Sequence, residues 1–124
     1  MEASPCRRLR RLPPIETALP GVDVRRADRF RARLLGLAGL RVAPRGQALL
    51  LAGTRSIHTL GMRFALDLIW LDGEGRVLQI DRGVVPGRLV RCAEARAVVE
   101  VVAGEVAVER LAPGARVVSG GAAR

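Results

Sequence analysis

The chain has 124 residues, a length expected of a single domain that can bury a core of its own. Apolar residues make up 49% of it and charged residues 27%, which is the composition of a globular protein rather than a disordered one. No stretch reaches the roughly 20 apolar residues that cross a bilayer. Two cysteines, Cys6 and Cys92, are too few for a disulfide scaffold. An integral membrane protein and a disulfide-built domain are therefore both excluded.

The charge is strongly positive and unevenly distributed. All 21 basic residues are arginine and the net charge is +9, a bias most simply explained by a GC-rich genome. Residues 1–45 hold 11 arginines against four acids, whereas residues 46–124 hold 10 against eight, so the excess lies near the start. Such a segment can attract phosphate groups or an anionic lipid surface without sequence specificity. The aromatic residues Phe30, Phe64 and Trp70 offer few stacking surfaces, so specific nucleic-acid recognition is not expected.

Residues 1–14 are predicted to form a flexible arm rich in arginine and proline, with Pro13-Pro14 as a stiff boundary. No apolar segment of roughly 7–15 residues follows the first arginine pair, so an export signal is not predicted and the expected location is cytoplasmic. The arm could reach an acidic partner or an anionic surface through Arg7, Arg8, Arg10 and Arg11.

One amphipathic helix is predicted near the N-terminus, beginning at Asp23. Asp23 is a suitable N-cap, and Gly36 or Gly39 a suitable C-terminal end. The apolar face of this helix, with spacings of three and four residues, would carry Ala27, Phe30, Leu34 and Leu37. The solvated face would carry Arg25, Arg26, Arg29 and Arg33.

The rest of the folded part is predicted to be mainly β. The clearest pattern is a β-hairpin, in which residues 64–71 and 76–80 are joined by a short Asp/Gly turn. Residues 104–111 fit either a short helix or a strand. Further strands are expected at residues 15–20, 47–52, 97–103 and 116–118.

These elements predict a mainly β fold of the α+β class, a β-sandwich or roll with one amphipathic helix. The predicted single globular domain spans residues 15–119. Residues 120–124 are predicted to be a disordered tail.

Asp67 is the most informative polar residue, because it lies inside an apolar strand whichever face is buried. An unpaired buried carboxylate costs several kcal/mol or more, so it must find donors or become protonated. The candidate donors are His58, Thr59, Arg55, Arg63 and nearby backbone amides. The predicted ligand-binding residues are Ser56, His58, Thr59, Arg63 and Asp67. Asp67 and His58, the single histidine, are also candidate catalytic residues for general acid–base chemistry. A purely structural role for either residue stays open.

Other kinds of site are disfavoured. Ser56 and His58 are two apart on one strand, which does not suit a nucleophile and its base, and no Gly-x-Ser-x-Gly elbow is present. One histidine and two distant cysteines give no metal-binding spacing, so no metal is predicted. The glycines at 73 and 75 lie in a hairpin turn rather than between a strand and a helix, so they do not predict a phosphate loop. No cofactor is expected.

A series of motifs resembles the domain of unknown function 192 family. The motifs are Arg-Ala-Arg-Leu-Leu-Gly-Leu at 31–37, Arg-Ser-Ile-His-Thr-Leu-Gly-Met-Arg-Phe-Ala-Leu-Asp at 55–67, Leu-Ile-Trp-Leu-Asp at 68–72 and Ala-Val-Val-Glu-Val-Val-Ala-Gly at 97–104. The likeness covers about residues 16–119, and His58 makes the chain similar to a histidine-bearing branch. The resemblance implies a small, mainly β sandwich or roll. It implies no reaction, because the family is uncharacterised.

Three functions are compatible with these observations. The first is a non-enzymatic binding or accessory module that holds a small ligand or a protein segment at a polar cluster around His58, Arg63 and Asp67. The second, which the resemblance implies because some relatives occur beside pilus and secretion genes, is an accessory protein of a secretion or pilus system that docks through the arginine-rich arm. The third is an acid–base enzyme that uses Asp67 and His58.

Overall fold

The structure, a computed structural model, describes residues 7–27 and 43–123. This part of the chain is mainly β. Its strands are β1 (Pro14–Ile15), β2 (Asp23–Ala27), β3 (Gln47–Ala52), β4 (Ser56–His58), β5 (Leu66–Leu71), β6 (Val77–Val84), β7 (Leu89–Arg91) and β8 (Ala97–Val102). Its helices are α1 (Arg7–Arg10), a 3₁₀ turn (Val108–Arg110) and α2 (Gly120–Ala123).

Six of the strands form one mixed sheet in the order β1-β2-β3-β8-β5-β6. The β2–β3 pair is parallel, and the other neighbours are antiparallel. Strands β4 and β7 form a separate antiparallel pair. The three strands β3, β5 and β8 are almost wholly buried, since both faces of the sheet centre are covered.

Two apolar clusters lie on the two faces of the six-stranded sheet, because side chains alternate along each strand. On strand β5, Ile69 and Leu71 belong to the first cluster. Leu66, Leu68 and Trp70 belong to the second, which also contains Ile57 of the small sheet. The small β4–β7 sheet therefore packs over the second face.

The predicted amphipathic helix is wrong where the structure describes it. Asp23–Ala27 is strand β2, so Asp23 is not an N-cap, and no helix in the described ranges exceeds four residues. The three-residue spacing of Val24 and Ala27 places them on opposite faces of an interior strand, where each joins a different cluster. The rest of the predicted helix, Gly36 and Gly39 included, lies outside the described residues.

The hairpin is confirmed, with β5 and β6 paired antiparallel across the turn at 72–76. Strand β3 has the predicted bounds, and β8 falls within its predicted range. Residues 15–20 and 116–118 contribute only the end of β1 and isolated bridges.

The N-terminal segment contacts the sheet. Leu9 of α1 is 1% exposed and belongs to the second cluster. The Arg25 guanidinium binds the Asp23 carboxylate at 2.9 Å and donates to the carbonyls of Arg10 and Leu12 at 3.2 and 3.0 Å. Residues 9–12 are thereby held against β2. At the other end of the chain, Ala123 is buried in the first cluster.

Strand β6 is the edge of the large sheet, and its pairing with β5 is irregular at two points. The register shifts between Leu66 and Leu68, where β6 contributes one residue more than β5, and again between Trp70 and Leu71. Gly83, at the first shift, has a φ of 59°. Glycine suits such a β-bulge, since a left-handed φ strains other residues.

We predict that Gly75→Ala strongly destabilises the fold. Gly75 has a φ of 77°, and an added Cβ would collide with the carbonyl of Val118. Backbone strain and overpacking together should cost about 3 kcal/mol or more in the free energy of unfolding. Urea denaturation followed by Trp70 fluorescence measures this loss.

The matched control is Gly114→Ala, because Gly114 has a φ of 83° with nothing within 4 Å of the added Cβ. It should cost only about 1–2 kcal/mol, the contribution of the φ alone. Equal losses for the two variants would contradict the steric explanation.

Candidate functional site

Asp67 is buried on the first face of the sheet. Its side chain is 4% exposed and lies on the same side of β5 as Ile69 and Leu71. Its Oδ1 accepts from the Gly83 amide at 2.8 Å, and its Oδ2 accepts from the Gly104 amide at 3.1 Å. The carboxylate is therefore satisfied by backbone donors.

These two amides come from the two stretches of chain next to β5. Gly83 lies in the bulge of β6, and Gly104 is the second residue after the end of β8, with a φ of 88°. The positive φ at each glycine accompanies an amide that points to the carboxylate instead of to a neighbouring strand. Asp67 thus joins both of its neighbouring strands at one point.

His58 lies on the other side of the large sheet. It follows Ile57, whose side chain is buried in the second cluster, and alternation turns the imidazole outward to solvent. The donors to Asp67 are the amides of Gly83 and Gly104. Neither His58 nor Arg63 is the donor to Asp67 that the sequence offered as a candidate. The predicted polar cluster is divided: Ser56 and His58 lie on the outer face of β4, Thr59 is buried just after it, Arg63 is exposed beyond the following turn, and Asp67 lies on the first face of the large sheet.

An open groove of about 750 Å³ adjoins Asp67. It is also lined by Arg82, Glu105 and Glu109, whose charges have both signs. Each oxygen of Asp67 accepts one backbone amide, so the carboxylate contributes to the structure of the sheet at the side of this groove.

Thr59 joins two turns beneath the surface next to His58. The side chain is 0% exposed, and its Oγ1 donates to the Val85 carbonyl and accepts from the Arg88 amide, both at 2.8 Å. The Thr59 amide donates to the Arg88 carbonyl at 2.8 Å, and its carbonyl accepts from Gly87 at 3.0 Å. The turn after β4 and the turn before β7 are thus fixed against each other.

Large apolar side chains are exposed around this junction. Leu60 and Leu89 are each 62% exposed and Val85 is 47% exposed. His58 is opposite Leu89 in the β4–β7 register, so both lie on the outer face of the small sheet. Together with the exposed arginines of the same two stretches of chain, these residues make up what we call the turn surface: His58, Leu60, Arg63, Val85, Arg88 and Leu89.

A second polar network holds the small sheet in place. Trp70 Nε1 and Gln79 Nε2 both donate to Asp81 Oδ2 at 2.7 Å. Gln79 also donates to the Arg91 carbonyl of β7 at 3.4 Å. The edge of the large sheet is thereby connected to the small sheet that carries the turn surface.

Four residues of this region are predictable from the sequence, but its apolar residues Leu60, Val85 and Leu89 are not. The signal that could have found them is their position within two residues of the turn glycines Gly61 and Gly87, since residues near turns tend to lie at the surface.

A family model described as DUF192, uncharacterised ACR, matches residues 15–119. The chain belongs to the DUF192 family. This agrees with the resemblance seen in the sequence, and it identifies the protein as a small domain of an uncharacterised family. The comparison with curated proteins gives no match.

Two solved structures share the fold of this DUF192 domain. A Sinorhizobium meliloti protein described as a candidate transcription regulator is 23% identical, with a TM-score of 0.69 over 87% of this chain and 92% of that one. A Novosphingobium aromaticivorans protein of unknown function is 19% identical, with a TM-score of 0.69 over 84% of this chain and 82% of that one. At these identities the likeness concerns the fold alone.

We predict that Asp67→Ala destabilises the DUF192 domain by about 3 kcal/mol, because two amides near the sheet lose a charged acceptor. Asp67→Asn retains one acceptor oxygen and should lose about half as much. Urea denaturation of both variants measures the difference.

Glu109→Gln is the control, since Glu109 is an exposed carboxylate on the same groove. It should change the free energy of unfolding by no more than about 0.5 kcal/mol. Stability that is unchanged in Asp67→Ala would show that the two amide contacts contribute nothing.

We predict that Thr59→Val loosens the two joined turns. Valine has the same shape but leaves the Val85 carbonyl and the Arg88 amide without the hydroxyl, at a cost of about 2 kcal/mol. Hydrogen exchange at the Arg88 amide should accelerate. Thr59→Ser retains the hydroxyl and should preserve the slow exchange, and fast exchange in both variants would contradict the role assigned to the hydroxyl.

Proposed function

We propose that this DUF192 domain is a non-enzymatic binding module that holds a protein segment on the turn surface. The observation that carries the proposal is the exposure of Leu60, Val85 and Leu89, each within one residue of the backbone groups that Thr59 and its hydrogen bonds join. Single exposed apolar residues are ordinary, but several of them around one fixed junction are typical of an interaction site.

The arrangement of residue types supports a protein ligand. The three apolar side chains belong to residues near the junction of the turns, and the exposed residues Arg63, Arg88 and His58 lie within three positions of them in the chain. Protein interfaces combine the same residue types, since apolar side chains form their centre, polar side chains form their rim, and arginine is enriched in them. A rigid support also lowers the entropy cost of binding, because the turns are ordered before the ligand arrives.

The predicted binding residues divide between this surface and the sheet. We assign His58 and Arg63 to contact with the ligand, Ser56 to the neighbouring outer face of β4, and Thr59 to support of the turns. Asp67 is assigned to the fold. An acid–base reaction through Asp67 and His58 is not part of the proposal, because the sheet separates these side chains.

Two further expectations remain predictions. No helix in the described ranges is long and apolar enough to span a membrane. We propose a cytoplasmic location, which cell fractionation tests. Docking of an anionic surface through Arg7, Arg8, Arg10 and Arg11 is likewise a prediction, and Arg10 and Arg11 are exposed.

The proposal is tested with short random peptides displayed on phage and selected on the immobilised domain. The binding of a selected peptide is then measured by fluorescence polarisation on the double variant Leu60→Ser/Leu89→Ser. Loss of two apolar contacts should weaken binding by about tenfold or more.

The matched control is Leu78→Ser, because Leu78 is a 37% exposed leucine on the edge strand β6. It should leave the affinity unchanged. Selection of peptides whose affinity the double variant retains would overturn the turn surface as the binding site.

A further inference from the structure

We infer that the protein segment bound by the turn surface is acidic as well as apolar. This inference rests on the proposed function and specifies the chemical class of the partner. Its basis is the distribution of charge around the two joined turns.

Both stretches of chain that form the turn surface lack carboxylates. Residues 55–66 contain two arginines, and residues 82–93 contain three, with no aspartate or glutamate in either range; the acids that border these ranges are Asp67, Asp81 and Glu94. Asp67 and Asp81 already accept hydrogen bonds from donors of the large sheet. The six residues of the turn surface thus include two arginines and no carboxylate.

The arginines of the surface are available to a partner. Arg63, Arg88 and Arg91 are exposed, and within residues 7–27 and 43–123 none of them is in an ion pair. Arg91 is two residues from Leu89 on the same outward face of β7. A guanidinium presents a planar fork of donors that matches a carboxylate, so these side chains fit aspartate or glutamate next to the apolar contacts.

A second copy of the chain is a poor occupant. A twofold contact would place the same patch of each copy against the other, so Arg63 and Arg88 of one copy would share an interface with those of the other and with no carboxylate of the patch. Like charges brought together at an interface cost free energy. An acidic segment avoids this repulsion and neutralises the surface.

Nucleic acid and lipid fit less well. The turn surface has no aromatic side chain on which bases could stack. Three exposed aliphatic residues would also contribute nothing to the phosphate contacts that dominate nucleic-acid binding. Membrane interfaces favour tryptophan and tyrosine at headgroup depth, and neither is present here.

The test uses two synthetic peptides of equal length, one of glutamate, leucine and serine and one with lysine in place of glutamate. We expect the glutamate peptide to bind at least about tenfold more tightly, and its affinity to fall as salt is raised. In the variant Arg63→Glu/Arg88→Glu, the lysine peptide should bind more tightly than the glutamate peptide. Arg63→Gln/Arg88→Gln, which removes charge without adding repulsion, should reduce the preference several-fold, since of Arg63, Arg88 and Arg91 only Arg91 keeps its charge.

Arg110→Glu is the matched control, because Arg110 is an exposed arginine outside the turn surface. It should leave the preference unchanged, and circular dichroism should show each variant folded. If the two peptides bound with equal affinity, and Leu60→Ser/Leu89→Ser abolished the binding of both, the inference of an acidic partner would be wrong and the proposed function would stand. If both peptides bound the Leu60→Ser/Leu89→Ser variant as tightly as the unmodified domain, the proposed function itself would be wrong.

Two further probes separate the other classes of partner. Vesicles of phosphatidylcholine with phosphatidylserine and a short DNA duplex are measured under the same conditions. Neither should bind more tightly than the glutamate peptide. Tighter binding of either probe, abolished in Arg63→Gln/Arg88→Gln, would replace the protein segment by a lipid surface or a nucleic acid.

Discussion

The carboxylate of Asp67 occupies the inside of a β-sheet, where an ionised group without donors costs several kcal/mol. Its oxygens take the amides of Gly83 and Gly104, so one side chain supplies acceptors to the strands on both sides of its own. The carboxylate is bonded at the point where β6 bulges and just beyond the end of β8. An amide that leaves regular strand pairing therefore finds an acceptor at each of these two places.

The turn surface depends on a second buried polar side chain that is bonded to backbone groups. Thr59 is buried between two turns, and its hydroxyl, amide and carbonyl are all bonded to residues 85–88. The polar groups of Thr59, just after β4, therefore hold the backbone of the two turns together. The apolar side chains of the neighbouring residues remain exposed to solvent. Rigid backbone beneath exposed apolar groups is the combination on which the proposed binding role rests.

Much of the sheet could be predicted from local patterns. The Asp/Gly turn between two apolar runs defines the β5–β6 hairpin, and the runs at 47–52 and 97–103 give β3 and β8. Strand β2 could not be predicted, because Val24 and Ala27 show a helical spacing that an interior strand with two covered faces also satisfies. Only tertiary context distinguishes these cases.

The hydrogen-bonding needs of the site residues could be predicted from the sequence, but their positions relative to one another could not. The sequence requires Asp67 to have donors, and backbone amides were among the candidates, yet nothing local indicates that the amides come from glycines 16 and 37 residues away. The separation of His58 from Asp67 depends on which face of the large sheet the β4–β7 pair covers. That is a property of sheet packing, which no motif in the chain encodes.

The irregular pairing of β6 has a consequence for solubility. An edge strand exposes unpaired amides and carbonyls that can template the strand of another molecule and start aggregation. The two register shifts interrupt β6 near both of its ends, and Asp81 places a charge between them, so a foreign strand finds only a short regular stretch to extend. The bulge whose Gly83 amide binds Asp67 thereby also hinders the addition of strands from other molecules to this valine-rich sheet.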